Sequence, residues 1–74
     1  MREWLYDLRK GQGMTLKEAG EKLGISESYY KNIEDGKRQT KMDMLFILNI
    51  SKVFNVPVTQ IVQNEKVLIE GGKL

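Results

Sequence analysis

The sequence predicts an all-α domain of five short helices. Apolar residues recur three and four positions apart, as Ala19 and Leu23 do in one stretch and Tyr30 and Ile33 do in the next. This spacing places each pair on one face of a helix. Gly24 stands between the two stretches, where a helix that ends in a sharp turn needs a residue tolerant of positive φ. We therefore expect two helices held at an angle, with three more helices around them.

The composition limits the kinds of protein and site that the chain allows. Its 74 residues make one small domain, and a chain of this size buries only about 60% of its unfolded surface. It has no cysteine and no histidine, which removes disulfides, thiolate nucleophiles and the common zinc sites. No apolar run approaches the roughly 20 residues of a membrane span, and the N-terminus lacks a signal-peptide cleavage pattern. We therefore expect a cytoplasmic protein with no membrane contact, metal or cofactor.

Enzymatic activity is not expected. Catalysis would have to rest on carboxylates, lysines or hydroxyls, and no pair of them has a spacing that indicates a shared pocket. Asp7, Glu18 and Asp43 fit helix termini and solvent-exposed positions better than a catalytic pocket. The glycines of GQG at residues 11–13 are not followed by GKS or GKT, so they do not match a phosphate-binding loop. No small-molecule substrate is evident.

Start and stop signals delimit the first three helices. The first covers residues 2–10 and ends at the GQG run. Thr15 followed by Glu18 is a capping box, which satisfies the first free N–H groups of the second helix. Ser26 is the predicted N-cap of the third helix, which stops before Gly36.

The fourth and fifth helices carry more apolar residues than one buried face can hold. The fourth covers residues 43–54, and Pro57 begins the fifth, where its missing N–H is harmless. The domain itself can bury this helix on most sides, but a domain this small has few elements to do so, and we expect a dimer contact instead. The residues expected in that contact are Phe46, Ile50, Phe54 and Ile61.

A tail follows the fifth helix. We expect one domain over residues 1–65 and a C-terminal tail over residues 66–74, associated with the dimer. Residues 66–69 suit either a strand or an extension of the helix. The final GGKL is expected to be mobile.

The outer face of the third helix is the predicted reading surface for DNA. A helix pair with small residues at Gly20 and Gly24 leaves that face free of the core and able to enter a major groove. The expected base-reading residues are Glu27, Ser28, Lys31 and Asn32. Asparagine can bond adenine through N6 and N7, glutamate can accept from cytosine N4, and serine serves either way. A glutamate in the first turn is also favoured by the helix dipole without DNA, so both roles stay open for Glu27.

Basic residues cluster after the third helix. The net charge of +2 is weak evidence for nucleic acid, but Lys37, Arg38 and Lys41 lie close together in the sequence, with Lys31 shortly before them. The plain alternative is a solvated helix end and loop. In the DNA interpretation these side chains bind phosphates and position the protein without reading sequence.

The ordered runs LGIS, YY and IEDGKR resemble the helix-turn-helix of the phage repressor and Cro-like family of DNA-binding proteins, the XRE type, over about residues 5–61. This resemblance implies a lambda-repressor-like fold of five helices, in which helices 2 and 3 form the helix-turn-helix. It also implies a largely buried ion pair between Arg9 and Glu34 that fixes the reading helix. The alternative is that both side chains are exposed and nearly independent.

One departure from the family affects the expected contacts with the DNA backbone. Family members usually carry glutamine at the position of Leu16, and leucine donates no hydrogen bond to DNA, so the flanking Thr15 and Lys17 are expected to replace that contact. The residues expected to contact the DNA backbone are Thr15, Lys17, Tyr29, Lys37, Arg38 and Lys41.

Two functional hypotheses follow. The first is a sequence-specific regulator of transcription that binds double-stranded DNA, a repressor acting as a symmetric homodimer on a palindromic operator. The second is a helical protein-interaction module, for example an antitoxin, with weak or no DNA binding. The modest net charge, Leu16 and the acidic Glu27, Glu34 and Asp35 favour the second.

Overall fold

A computed structural model describes residues 1–39 and 42–72 of the chain. These residues form α-helices and no strand, so the predicted all-α fold of five helices is confirmed. The helices are α1 (Glu3–Gly11), α2 (Leu16–Leu23), α3 (Glu27–Glu34), α4 (Met44–Phe54) and α5 (Val58–Gly72). The chain divides into two compact units, Met1–Lys41 and Met42–Leu74.

The helix-start signals read from the sequence act as predicted. The Thr15 hydroxyl accepts from the Glu18 N–H at 3.0 Å, and the Glu18 carboxylate accepts from the Thr15 N–H at 2.8 Å, which completes the capping box of α2. The Ser26 hydroxyl accepts from the Tyr29 N–H at 3.1 Å and caps α3. Between them Gly24 ends α2 at a φ of +74°, a conformation that glycine adopts without steric cost.

In the first unit, α3 packs against α1 and α2. Leu5 of α1, Ala19 of α2, and Tyr30 and Ile33 of α3 are all fully buried. Gly20 explains how closely the chain approaches α2, because a Cβ there would lie 3.0 Å from the Ile25 carbonyl oxygen. A methyl group there would need the Ile25 carbonyl to move by a few tenths of an ångström, so the glycine suits the place where the turn crosses α2.

In the second unit, α4 packs against α5. The Asp43 carboxylate accepts from the Phe46 N–H at 2.8 Å and caps α4, and Asn55 ends that helix at a φ of +54°. The apolar side chains buried along these helices are Phe46, Ile50, Phe54 and Ile61.

This burial corrects the expected dimer contact. Phe46 is 8% exposed in a single chain, and Ile50, Phe54 and Ile61 are exposed by 1% or less, so they offer almost no surface to a second chain. The prediction was wrong for these residues because it did not separate the inward positions of α4 and α5, which on α4 recur every four residues, from the outward ones. The exposed large apolar side chains of the unit are Met44, Leu45, Leu48, Val62, Val67 and Leu68.

The C-terminal segment is helical as far as the structure describes it. α5 continues through residues 66–72 without a break at the expected boundary after residue 65, so the helical alternative for residues 66–69 is the correct one. Of the final GGKL, Gly71 and Gly72 belong to α5, and Lys73 and Leu74 lie outside the described residues. Among the helices described, none is both long and apolar enough to cross a membrane.

Candidate nucleic-acid interface

The two faces of α3 differ sharply in burial. Glu27, Ser28 and Lys31 are exposed, and Asn32 is partly exposed. Tyr30, on the opposite side, is fully buried. The helix therefore presents three of the expected base-reading side chains to solvent and a fourth in part.

The expected ion pair between Arg9 and Glu34 is present and buried. Arg9 Nε lies 2.6 Å from Glu34 Oε2 and Arg9 Nη2 lies 3.2 Å from Oε1, a two-point contact between side chains that are 8% and 4% exposed. The alternative of two exposed, independent side chains is therefore excluded. Arg9 also donates to the carbonyl of Met14 at 3.0 Å. The pair joins α1 to the last turn of α3 and to the loop before α2, and so fixes the orientation of α3.

Electrostatics around this pair follow from its burial. The hydrogen bond to Glu34 raises the pKa of Arg9, against the opposing effect of desolvation. Burial, followed by the neighbouring Glu34 carboxylate, raises the pKa of Tyr30 well above its usual range. The Tyr30 hydroxyl makes no hydrogen bond of good geometry within the described residues. Tyr30 is therefore a neutral core residue, as its spacing predicted.

Lys31 has an intrahelical partner. Its ammonium lies 2.9 Å from the Asp35 carboxylate, four residues further on, and this hydrogen bond lowers the pKa of Asp35. The pair lies at the surface, where water and salt screen it, so its contribution to stability is small. Lys31 can therefore leave Asp35 at little cost.

An open cleft lies beside the start of α3. It has a volume of about 490 Å³ and is lined by Arg9, Lys10, Gly13, Met14, Thr15, Leu16, Lys17 and Glu27. The cleft brings Thr15 and Lys17, two expected backbone contacts, to the same place as Glu27, an expected base contact. Lys10 adds a basic side chain that the sequence analysis did not select.

The loop after α3 is folded back onto that helix. The N–H groups of Lys37 and Arg38 donate to the Asn32 carbonyl at 2.8 and 3.3 Å, and both side chains are exposed. Tyr29 is half-buried, and its hydroxyl accepts from the Gln39 side chain at 3.4 Å. The structure therefore keeps Lys37 and Arg38, two of the expected contacts with the DNA backbone, close to α3. Lys41 lies outside the described residues.

Arg2 is a residue of this region that the sequence analysis missed. It was expected to be the first residue of α1, but it precedes the helix, and its side chain is 1% exposed. It donates hydrogen bonds to carbonyls at the end of α3 and in the following loop. No periodicity or motif in the sequence marks it, since an arginine near a terminus is ordinarily solvated.

An all-α fold with two helices joined at a glycine turn, the second showing a polar face, belongs to the helix-turn-helix class of DNA-binding proteins. A helix-turn-helix family model matches residues 5–61, more than half of the chain, and the chain belongs to this family, of the XRE type. The five helices and this family are consistent with the lambda-repressor-like fold that the resemblance implied. Comparisons with curated proteins and with solved structures gave no significant match. Family membership supports a DNA-binding regulator that acts on double-stranded DNA, and the family is typically non-enzymatic.

Proposed function

We propose that this chain is a sequence-specific transcriptional repressor that acts in the cytoplasm as a homodimer on a palindromic operator. The observation that carries this proposal is the contrast within α3. Its outer face is polar and exposed, while the buried Arg9–Glu34 pair and Tyr30 hold it from behind. A helix that is immobilised in this way can read bases without first being ordered by the DNA.

The base contacts are assigned to the outer face of α3. Asn32 bonds an adenine through its side-chain amide, Ser28 bonds either kind of base, and Lys31 leaves Asp35 to donate to guanine. Glu27 accepts from cytosine N4 in the complex and stabilises the N-terminus of α3 when DNA is absent, so its two roles are compatible. Each good contact gives about 1 to 3 kcal/mol of discrimination between bases.

The contacts with the DNA backbone are assigned to the surfaces on either side of that face. On one side is the open cleft beside the start of α3, and on the other is the loop after α3. The residues proposed are Thr15, Lys17, Tyr29, Lys37, Arg38 and Lys41. Contacts of this kind release counterions, so the affinity should fall with salt by a slope of about −0.9 per phosphate neutralised.

Selection from a random duplex pool, followed by binding measurements on the selected duplex over a salt series, tests this proposal. Asn32→Ala should relax the base preference at one position of each half-site. Arg38→Ala should weaken binding to all sequences nearly equally and reduce the salt slope by about one unit. Lys52→Ala removes an exposed positive charge from α4 and is the matched control, with no change expected in base preference. The reverse pattern for Asn32 and Arg38 would show that α3 is docked differently.

The homodimer is assigned to an apolar patch on α4. Met44 and Leu45 are each 75% exposed and Leu48 is 47% exposed, and together they occupy the outer side of the first turns of the helix. A second copy of the chain would cover this patch by symmetry, which matches two half-sites about one helical turn apart, roughly 34 Å. Leu45→Lys should convert a dimer to a monomer in sedimentation equilibrium, with the helical content unchanged.

The same exposed apolar side chains support the second candidate, a helical protein-interaction module. Large exposed apolar patches mark interaction sites, and a net charge of +2 is modest for a DNA-binding protein. The salt series separates the two candidates. Binding that weakens steeply with salt supports the repressor, whereas no binding to any duplex at low salt supports the interaction module.

A further inference from the structure

Arg2 is buried where α3 meets the loop of residues 35–39. Its side chain is 1% exposed, although arginine is almost never fully buried unless it is paired. Its backbone N–H donates to the Glu34 carbonyl at 2.6 Å, and its guanidinium Nη1 donates to the Ile33 carbonyl at 2.7 Å. The last carbonyls of a helix have no partner within it, and the helix dipole favours a cation there. Arg2 meets both requirements at the end of α3.

The same guanidinium also binds the loop. Nη1 donates to the Arg38 carbonyl at 3.0 Å, and Nη2 donates to the Gln39 carbonyl. These carbonyls belong to the segment that carries the exposed side chains of Lys37 and Arg38. One buried side chain therefore ties the reading helix to the loop proposed to bind the DNA backbone.

We infer that Arg2 is a positioning residue for DNA binding, which holds Lys37 and Arg38 in a fixed place relative to α3. This inference rests on the proposed function. Arg2 acts through the loop, because a side chain that is 1% exposed has almost no surface for DNA. A loop that is ordered before binding loses less conformational entropy in the complex. Lysine cannot replace this arginine, because its single ammonium lacks the planar fork that reaches several carbonyls at once.

The first test needs no DNA. Arg2→Lys keeps the charge and removes the fork, and hydrogen exchange is measured on the amides of Lys37 and Arg38, which donate to the Asn32 carbonyl. These amides should exchange about tenfold faster than in the wild type. The Ala19 amide in α2, which donates to the Thr15 carbonyl, is the internal control and should not change. Unchanged exchange at Lys37 and Arg38 would overturn the inference.

The second test measures affinity for the selected duplex in a double-mutant cycle. Arg2→Lys should weaken binding about tenfold in the wild-type background, but less than about twofold where Lys37→Ala and Arg38→Ala are already present. Equal losses in the two backgrounds would mean that Arg2 does not act through the loop. Leu5→Val, a buried change in α1, controls for general destabilisation and should have the same effect in both backgrounds. Arg2→Gln is the second variant should Arg2→Lys fail to fold.

The outcomes also separate this inference from the function on which it rests. A wild type that binds no duplex at low salt would overturn the repressor proposal, and with it the role of Arg2 in DNA binding. A wild type that binds, together with equal losses in the cycle, would overturn only the role of Arg2.

Discussion

The two compact units of the chain use burial for different purposes. In the first unit, the buried side chains include three charged ones, Arg2, Arg9 and Glu34, and all three contact α3 or belong to it. In the second unit, the buried side chains are mainly apolar, and Glu65 is the buried charged one among the described residues. Charged hydrogen bonds are directional, whereas hydrophobic burial is not. The first unit therefore fixes the orientation of one helix, and the second mainly contributes apolar burial and leaves apolar surface exposed.

This contrast predicts different responses to substitution. The stability of the first unit should fall when a polar contact loses one partner, even when the volume of the side chains changes little. The second should be sensitive to loss of volume at inward positions and tolerant of change at outward ones. Substitutions in each unit therefore test whether the two units differ in this way.

The largest effect is expected for the buried ion pair. Arg9→Ala leaves the Glu34 carboxylate without its buried partner, and such a change costs about 3 to 5 kcal/mol in the free energy of unfolding. Urea unfolding followed by circular dichroism measures this loss. The double variant Arg9→Met/Glu34→Met should recover much of it, because two apolar side chains of similar length leave no stranded charge.

A loss below about 1 kcal/mol for Arg9→Ala would match the median for exposed pairs. The first unit would then not depend on this pair for the orientation of α3. Buried charged contacts would no longer distinguish the first unit from the second.

Spacing and local chemistry were enough to predict the helix-turn-helix and its caps from the sequence. Thr15 and Ser26 act within three residues of themselves, so their roles depend on local sequence alone. The Arg9–Glu34 pair spans 25 residues and was expected only through resemblance to a family. Arg2 was missed because the carbonyls that its guanidinium binds lie more than 30 residues away, and nothing in the local pattern reports them.

For a related reason, the sequence alone could not show which residues of α4 face inward and which face outward. Met44, Leu45, Phe46, Ile47 and Leu48 are all apolar, so periodicity shows no polar face there. Only the packed structure distinguishes Phe46 and Ile50 from their exposed neighbours. For this reason the expected dimer contact was assigned to side chains that the chain itself buries.

The second prediction tests that assignment. Ile50→Ala should destabilise the protein by about 2 to 5 kcal/mol, because Ile50 is fully buried and its removal leaves a cavity. Leu45→Ala, at a side chain that is 75% exposed, should change stability by no more than about 0.5 kcal/mol. Both are measured by urea unfolding on protein diluted until sedimentation equilibrium detects only monomer, because loss of the proposed dimer would otherwise add to the effect of Leu45→Ala. Equal effects at the two positions would contradict the distinction between inward and outward sides.

The smallest effect concerns two solvated carboxylates of the first unit, Glu18 and Asp35. The backbone N–H of Thr15, in the capping box, lowers the pKa of Glu18 from its ordinary value of 4.5. The Lys31 ammonium lowers the pKa of Asp35 from its ordinary value of 3.8. In both cases the folded state favours the ionised form more than the unfolded chain does.

The sign of the pH dependence follows from these lowered pKa values. The stabilisation is complete above the pKa of the unfolded chain and is lost as the pH falls through the lower pKa of the folded state. The melting temperature of the wild type should therefore fall more between pH 5 and pH 2, an interval of about three units around these values, than that of Glu18→Gln/Asp35→Asn. The difference should be small, because both groups are solvated. Parallel melting curves for the two proteins over this range would show that neither contact favours the ionised carboxylate, and would leave the buried polar contacts as the main polar stabilisation of the first unit.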